Sequence, residues 1–188
     1  MLTIFDYFGV IAQDHFWYQA QDIAAGRHKS ADMQEFNRVV NIGDMSWDEF
    51  CHKVANDIGL SVDDVRAGYQ KHKVTPHIVE LIHDLRSAGH RTALLSNASA
   101  EYLVPIMTKL GFGLLFDSVY ISSDMGYAKP DKRAFSHVLN MEKLLPHEAI
   151  MIDDNAINVD SATSVGMAGI VFNDVLSCRE SLKKLLIL

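Results

Sequence analysis

Five short stretches of this 188-residue chain are apolar at nearly every position, not at every second or third one. They are Leu2–Phe5, Thr92–Leu95, Val119–Ile121, Ala149–Ile152 and Gly169–Phe172. A strand that is wet on one face alternates. A strand covered on both faces does not, and burial of both faces belongs to parallel sheets. Helical patterns lie between the runs. Ile78, Val79, Leu81, Ile82 and Leu85 recur at helical spacing within Pro76–Arg86, with Thr75 as the expected N-cap, Pro76 as the first helical residue and Gly89 as the stop. The segments Ala100–Leu110, Asp131–Leu144, Asn155–Val165 and Asp174–Leu186 read in the same way. Strands alternating with helices predict a doubly wound α/β fold around a five-stranded, mostly parallel, Rossmann-like sheet.

One interval is too long for that rhythm. A strand–helix–strand unit takes roughly 30 residues, and Phe5 to Thr92 is nearly three times that. Ser46 followed by Glu49 fits a capping box, after which Phe50, Val54 and Ile58 share one helical face. Ser61 precedes Val62, Val65 and Tyr69 in the same manner. The expectation is a small helical cap at residues 13–75, inserted into a core built from residues 1–12 and 76–188. The aromatic run His15-Phe16-Trp17-Tyr18 is expected in the interior of that cap, and Trp47 against its helix start. The tail Leu185-Leu186-Ile187-Leu188 is expected to cover the sheet.

Charge and cysteine content exclude several functions. The 24 acidic residues outnumber the 17 basic ones for a net charge of −7, which argues against binding nucleic acid or an anionic membrane surface. Two cysteines without a CxxC, and nine histidines without HxxxH or HxH spacing, make neither a disulfide framework nor a zinc site. No run approaches the ~18 apolar residues of a membrane span. With a strand-like run already at Leu2, no secretory signal is expected, and the expected location is cytoplasmic.

The chemistry sits after the apolar runs. The first ends in Asp6, the second in Ser96-Asn97 and the fourth in Asp153-Asp154, while Lys129 follows the third. Ligands of doubly wound sheets bind at the carboxyl ends of the strands. If the first and fourth strands are neighbours, three carboxylates converge there. Two such charges ~4 Å apart repel by about 4 kcal/mol at an effective dielectric near 20. A hard cation such as Mg²⁺, with a substrate phosphate, resolves the conflict.

Asp6-Tyr7-Phe8-Gly9-Val10, Ser96-Asn97, Lys129-Pro130-Asp131 and Asp153-Asp154 through Asn158 occur in the order of the four motifs of the haloacid dehalogenase-like superfamily. The chain resembles that superfamily over essentially its whole length. Within it, the chain is most similar to small-capped phosphatases related to sugar-1-phosphate phosphatases and to the N-terminal domain of soluble epoxide hydrolase. The resemblance implies a Mg²⁺-dependent phosphatase acting on a small phosphorylated metabolite. Asp6 would be the nucleophile that forms an aspartyl-phosphate. Ser96, Asn97 and Lys129 would bind the phosphoryl oxygens. Asp6, the Phe8 carbonyl, Asp153 and Asp154 would hold the metal, with Asp153 ligating directly or through water and Asn158 orienting this group.

One position departs from the pattern. Superfamily phosphatases usually carry a second aspartate two residues after the nucleophile as general acid and base, and here that residue is Phe8. A benzyl side chain transfers no proton, and its expected role is packing against the cap. Losing a positioned acid costs typically 10²–10⁴-fold. Asp14 or His15 of the cap are the candidate substitutes. An aromatic residue at this position also resembles the metal-independent 2-haloacid dehalogenases, which makes such an enzyme one alternative. A non-catalytic protein that binds a phosphorylated ligand is the other. The acidic pair Asp153-Asp154 weighs for the phosphatase. The sequence does not distinguish a monomer from a homodimer.

Overall fold

The structure is a computed structural model that describes residues 1–186. The five apolar runs form one sheet. Its strands are β1 (Leu2–Phe5), then, beyond a short antiparallel pair β2 (Ala12–Asp14) and β3 (His72–Val74), β4 (Arg91–Ser96), β5 (Ser118–Ile121), β6 (Ala149–Asp153) and β7 (Ala168–Val171). The order across the sheet is β5-β4-β1-β6-β7, and every pairing is parallel. Strand order reverses on the two sides of β1, so its carboxyl end opens at the crevice between β4 and β6.

Both faces of the central strands are buried, which is why their sequences do not alternate. Phe5, Leu94, Ile150 and Ile152 pack on one face with Leu81, Ile82, Leu103 and Leu182. Leu2, Ile4, Ala93, Leu95 and Met151 pack on the other with Phe135, Val138 and Ala162.

The long interval holds four helices between β2 and β3: α1 (His15–Gly26), α2 (Ser30–Asn41), α3 (Trp47–Ile58) and α4 (Val62–Tyr69). Ser46 and Ser61 cap α3 and α4 as expected, each accepting from the backbone N–H three residues on. The helices share a core of Ala20, Met33, Phe50, Val54 and Val65, which also takes in Tyr102 and Ile106. Those two residues lie on α6 (Ala100–Lys109), which follows α5 (Ile78–Ser87) and β4. The remaining helices are α7 (Ser122–Met125), α8 (Lys132–Glu142), α9 (Ala156–Ser164) and α10 (Val175–Leu186).

The start of α5 differs from its sequence signal. The helix begins at Ile78 behind a left-handed His77 (φ 61°), not at Pro76 with a Thr75 cap. Thr75 N–H donates instead to Ile11 O at 2.9 Å, closing the stem of the insertion, and its hydroxyl is buried without a partner. In the tail, Leu186 packs against the core. Ile187 and Leu188 lie outside the described residues. Among the described residues no helix is long and apolar enough to cross a membrane.

Candidate active site

Asp6 leaves the sheet with its N–H bonded to Ile152 O at 2.9 Å, so it emerges beside the end of β6. The chain then turns back at once. Ile11 N–H and Ala12 N–H both donate to Tyr7 O, at 2.8 and 2.9 Å. Gly9 makes the turn possible at φ +82°, and a Cβ there would lie 2.1 Å from Asp154 Oδ2. Only a bare backbone lets this loop lie against Asp154.

Asp6, Asp153 and Asp154 each bring a carboxylate oxygen within 4.8 Å of the others. Lys129 threads between two of them. Its Nζ lies 2.9 Å from Asp6 Oδ1 and 2.7 Å from Asp153 Oδ2, and the side chain is fully buried. Asn97 fixes the loop that delivers it: Asn97 Nδ2 donates to Lys129 O at 2.7 Å, and Lys129 N–H donates to Asn97 Oδ1 at 2.8 Å. Asp153 is equally constrained. Its oxygens accept from Lys129 Nζ, from Asn158 Nδ2 at 3.0 Å twice, and from Asn155 N–H at 2.9 Å. Asn155 caps α9, so the helix start and the carboxylate are positioned together.

Three carboxylates around one ammonium leave the site short of positive charge. Burial pushes the Asp6 carboxyl up to about 8, against the pull of Lys129 and with a further push from Asp153. Burial and then the Asp153 charge raise Asp154 as well. Burial pulls Lys129 down, but Asp6 and Asp153 together outweigh it and hold the ammonium charged. Such a cluster either keeps a proton or accepts a cation, and its all-oxygen donor set suits a hard one. At the end of β4, the strand paired with β1, the Ser96 hydroxyl is wholly buried and has no partner. An orphaned buried hydroxyl is costly unless a ligand meets it.

A family model described as haloacid dehalogenase-like hydrolase matches residues 1–166. The chain is a haloacid dehalogenase-like hydrolase. It is similar to a sesquiterpene phosphatase from Aspergillus oryzae, with 26% identity over 147 residues that cover 76% of this chain and 75% of that one. It is also similar to a glyceraldehyde 3-phosphate phosphatase from Methanothermobacter thermautotrophicus, with 31% identity over 107 residues, 56% of this chain and 47% of that one. The chain thus aligns with three quarters of the first relative and about half of the second. A solved structure of a HAD family enzyme from Bacteroides thetaiotaomicron, in complex with magnesium and inorganic phosphate, has the same fold. It superposes with a TM-score of 0.73 over 92% of this chain and 94% of that one at 19% identity.

In this hydrolase, a cleft of about 300 Å³ runs from Asp6, Asp154 and Asn158 out between the inserted helices. Phe8 lines it and packs as the sequence suggests, stacked on Tyr102 (6.2 Å, 4°) and edge-on to Tyr7. Of the two candidate proton donors, Asp14 lines the cleft, whereas His15 is exposed and does not. Asp14 Oδ1 accepts from Trp17 N–H at 3.1 Å as the cap of α1, and Oδ2 accepts from Tyr102 OH at 3.3 Å. Burial raises its carboxyl above the ordinary range. The aromatic run at 15–18 follows its sequence reading only in part: Phe16 and Trp17 pack against the core of the insertion, and Trp47 stacks on Phe50 at the start of α3 as expected, but Trp17, Trp47 and the exposed Tyr18 also line the cleft. Sequence reasoning also missed a buried polar chain. His72 Nε2 sits 2.6 Å from Tyr102 OH, and His72 Nδ1 sits 3.1 Å from Tyr7 OH. Its members come from β3, α6 and the β1 loop, so no sequence spacing marks them.

Proposed function

We propose that this chain is a Mg²⁺-dependent phosphomonoester hydrolase that acts on a small phosphorylated metabolite through an aspartyl-phosphate on Asp6. The observation that carries the reading is the buried Lys129 held between Asp6 and Asp153, with Asp154 alongside and the unpartnered Ser96 hydroxyl at the end of the adjoining strand β4. The phosphatase names of the two relatives described above support it. Residues 13–75 serve as a cap over a core of residues 1–12 and 76–188.

The residues divide the work as follows. Asp6 Oδ1 is occupied by Lys129 and by Tyr7 N–H, which leaves Oδ2 for attack on phosphorus. Lys129 neutralises charge that builds on the transferring phosphoryl group, and Ser96 donates its free hydroxyl to a phosphoryl oxygen. Asn97 orients the lysine loop and keeps one amide hydrogen for the same group. Asp6, Asp154 and the Phe8 carbonyl would hold the Mg²⁺ ion directly. Asp153, whose oxygens are already met by donors, acts from behind, and Asn158 holds it in place. The bound ion would supply Lewis-acid stabilisation of the phosphoryl charge.

A departing alkoxide needs a proton, and Phe8 has none to give. Asp14 supplies it: its carboxyl lines the cleft and burial favours its protonated form. The phosphorus–alcohol oxygen bond breaks as Asp6 attacks, and the Asp14 proton passes to the alcohol. The resulting carboxylate then takes a proton from the water that releases phosphate from Asp6. Asp14→Asn keeps the helix cap and the acceptor for Tyr102 but carries no acidic proton. In that variant, turnover of alkyl phosphates falls by about 10²–10⁴-fold. First-turnover release of p-nitrophenol from its phosphate, a good leaving group, changes less than about tenfold. Equal losses on both substrates would reduce Asp14 to a helix cap.

The deciding experiment measures phosphate release from p-nitrophenyl phosphate and acetyl phosphate, with Mg²⁺ and with excess chelator. Metal-dependent release supports the reading. Chelator-resistant release of halide from a 2-haloacid, without phosphate release, would replace it with a dehalogenase. Mg²⁺ binding without turnover of either phosphate would replace it with a phospho-ligand-binding role.

A further inference from the structure

Beyond the phosphoryl site, the walls of the cleft differ sharply in character from the carboxylate cluster. Four rings form a nearly parallel row. Phe50 lies 5.1 Å from Trp47 (22° between planes), Trp47 lies 4.3 Å from Tyr102 (16°), and Tyr102 lies 6.2 Å from Phe8 (4°). All four line the cleft. The row therefore runs without interruption from the loop beside Asp6, across α6, to α3 in the insertion. Facing residues on β2 and α2 are neutral amides: Gln13, Asn37 and Asn41.

Among the described residues no lysine, arginine or histidine lines this cleft, and its charged lining residues are Asp6, Asp14 and Asp154. Lys129 is already shared by two carboxylates. Recognition of a second carboxylate or phosphate on a substrate calls for a cation, above all the bidentate fork of an arginine. Here such a group would meet no side-chain counter-charge, because Lys129 and the proposed Mg²⁺ are both committed to the phosphoryl group. Aromatic rings with a few neutral polar groups instead suit an uncharged organic moiety.

We infer that the alcohol released from the phosphomonoester is uncharged and ring-bearing, packing against the Phe50–Trp47–Tyr102–Phe8 row and hydrogen-bonding to the amides of Gln13, Asn37 and Asn41. The inference rests on the phosphohydrolase reading and names its leaving group. Hydroxy acid phosphates and bisphosphates are excluded by charge. A cationic alcohol such as choline is the competing occupant, because ring faces also attract ammonium groups. Two carboxylates lie by the rings: Asp14, which lines the cleft and is already engaged by Trp17 N–H and Tyr102 OH, and Glu101, which accepts from Trp47 N–H at 2.9 Å and does not line the cleft. The raised carboxyl of Asp14 further weakens it as a counter-ion.

The test compares kcat/KM for benzyl phosphate, phosphoglycolate and phosphocholine in the presence of Mg²⁺, with acetyl phosphate reporting on the phosphoryl site alone. The three esters all release a primary alkyl oxygen, so differences report on the cleft more than on the bond that breaks. Benzyl phosphate is expected to exceed phosphoglycolate by at least about 10²-fold and phosphocholine by at least about tenfold. Trp47→Ala is expected to lower the ratio of benzyl phosphate to acetyl phosphate turnover by about tenfold or more. Asn37→Arg, on the partly exposed face of α2, is expected to raise phosphoglycolate relative to benzyl phosphate by about tenfold. A series with phosphoglycolate or phosphocholine preferred, or a ratio that Trp47→Ala leaves unmoved, overturns the inference while acetyl phosphate hydrolysis keeps the phosphatase reading. Loss of metal-dependent acetyl phosphate hydrolysis overturns both.

Discussion

Asp6→Asn is expected to abolish phosphate release, with a loss of at least about 10³-fold, and at the same time to raise the melting temperature at pH 8 in chelator. The first effect follows from chemistry. An amide oxygen does not replace a carboxylate as nucleophile. The second follows from electrostatics. Folding lifts the Asp6 carboxyl from near 4 to about 8 by burial, with Lys129 opposing and Asp153 adding. Between those values the folded protein binds more protons than the unfolded one, so stability falls as pH rises across that window. A neutral Asn removes this penalty and leaves Lys129 paired with Asp153 alone. Each kcal/mol regained moves the melting point of a chain this size by about 2–4 °C. The gap should close toward pH 5, where wild-type Asp6 is protonated in the fold. It should also narrow in millimolar Mg²⁺, which stabilises by mass action whichever protein binds it better. A dead variant that is more stable than wild type cannot be dismissed as misfolded. Turnover within a few-fold of wild type would remove Asp6 from the mechanism.

The same physics explains what the sequence revealed and what it hid. The central strands β1, β4 and β6 were legible because burial on both faces removes alternation, and the edge strands β5 and β7, only partly buried, were legible as short apolar runs. The carboxylates and Lys129 were legible because a parallel sheet places every strand end on one edge, so position along the chain already states position in the site. The stem was not: β2 and β3 have three residues each, too few for any period to show. Helices α1 and α2 gave no clear pattern either. In α1 the buried residues are the small Ala20 and Ala24, while the contiguous Phe16, Trp17 and Tyr18 blur the helical spacing. In α2 only Met33 and Val40 are buried, and no side chain caps its start. Large aromatics suggested a core, yet Trp17 and Tyr18 line the cleft, because what lies opposite them is set by chain folding from residues far away. Thr75-Pro76 illustrates the converse. Its local grammar fits a helix start, but the Thr75 N–H is claimed by Ile11 O across the stem.

Lys129→Met should be as damaging to stability as Asp6→Asn is to activity. The ammonium is fully buried and serves two carboxylates at 2.9 and 2.7 Å. Methionine matches its shape and removes its charge. Breaking one side of a buried ion pair costs roughly 3–5 kcal/mol, because the partner charges stay behind. For this chain that is a fall of about 6–20 °C in melting temperature. The deficit depends on pH in a defined direction. In wild type the lysine is held charged in the fold, above its ordinary range, so its contribution is fully present below the unfolded value and lost only as pH rises through the folded one. In the variant, Asp6 and Asp153 lose their counter-charge, and the Asp6 carboxyl, already raised by burial, rises further. Asp6 then destabilises the fold most at alkaline pH and least when acid protonates it. The melting point should therefore recover toward wild type between pH 8 and pH 5. Mg²⁺ should restore part of the stability at pH 8, since a cation among the carboxylates does some of the work of the ammonium. It should not restore turnover, which is expected to stay at least about 10²-fold down, because the phosphoryl group still lacks its clamp. That separation distinguishes a lysine that only balances charge in the resting site from one that also acts on the substrate: recovery of both stability and turnover in Mg²⁺ would assign it the first role alone.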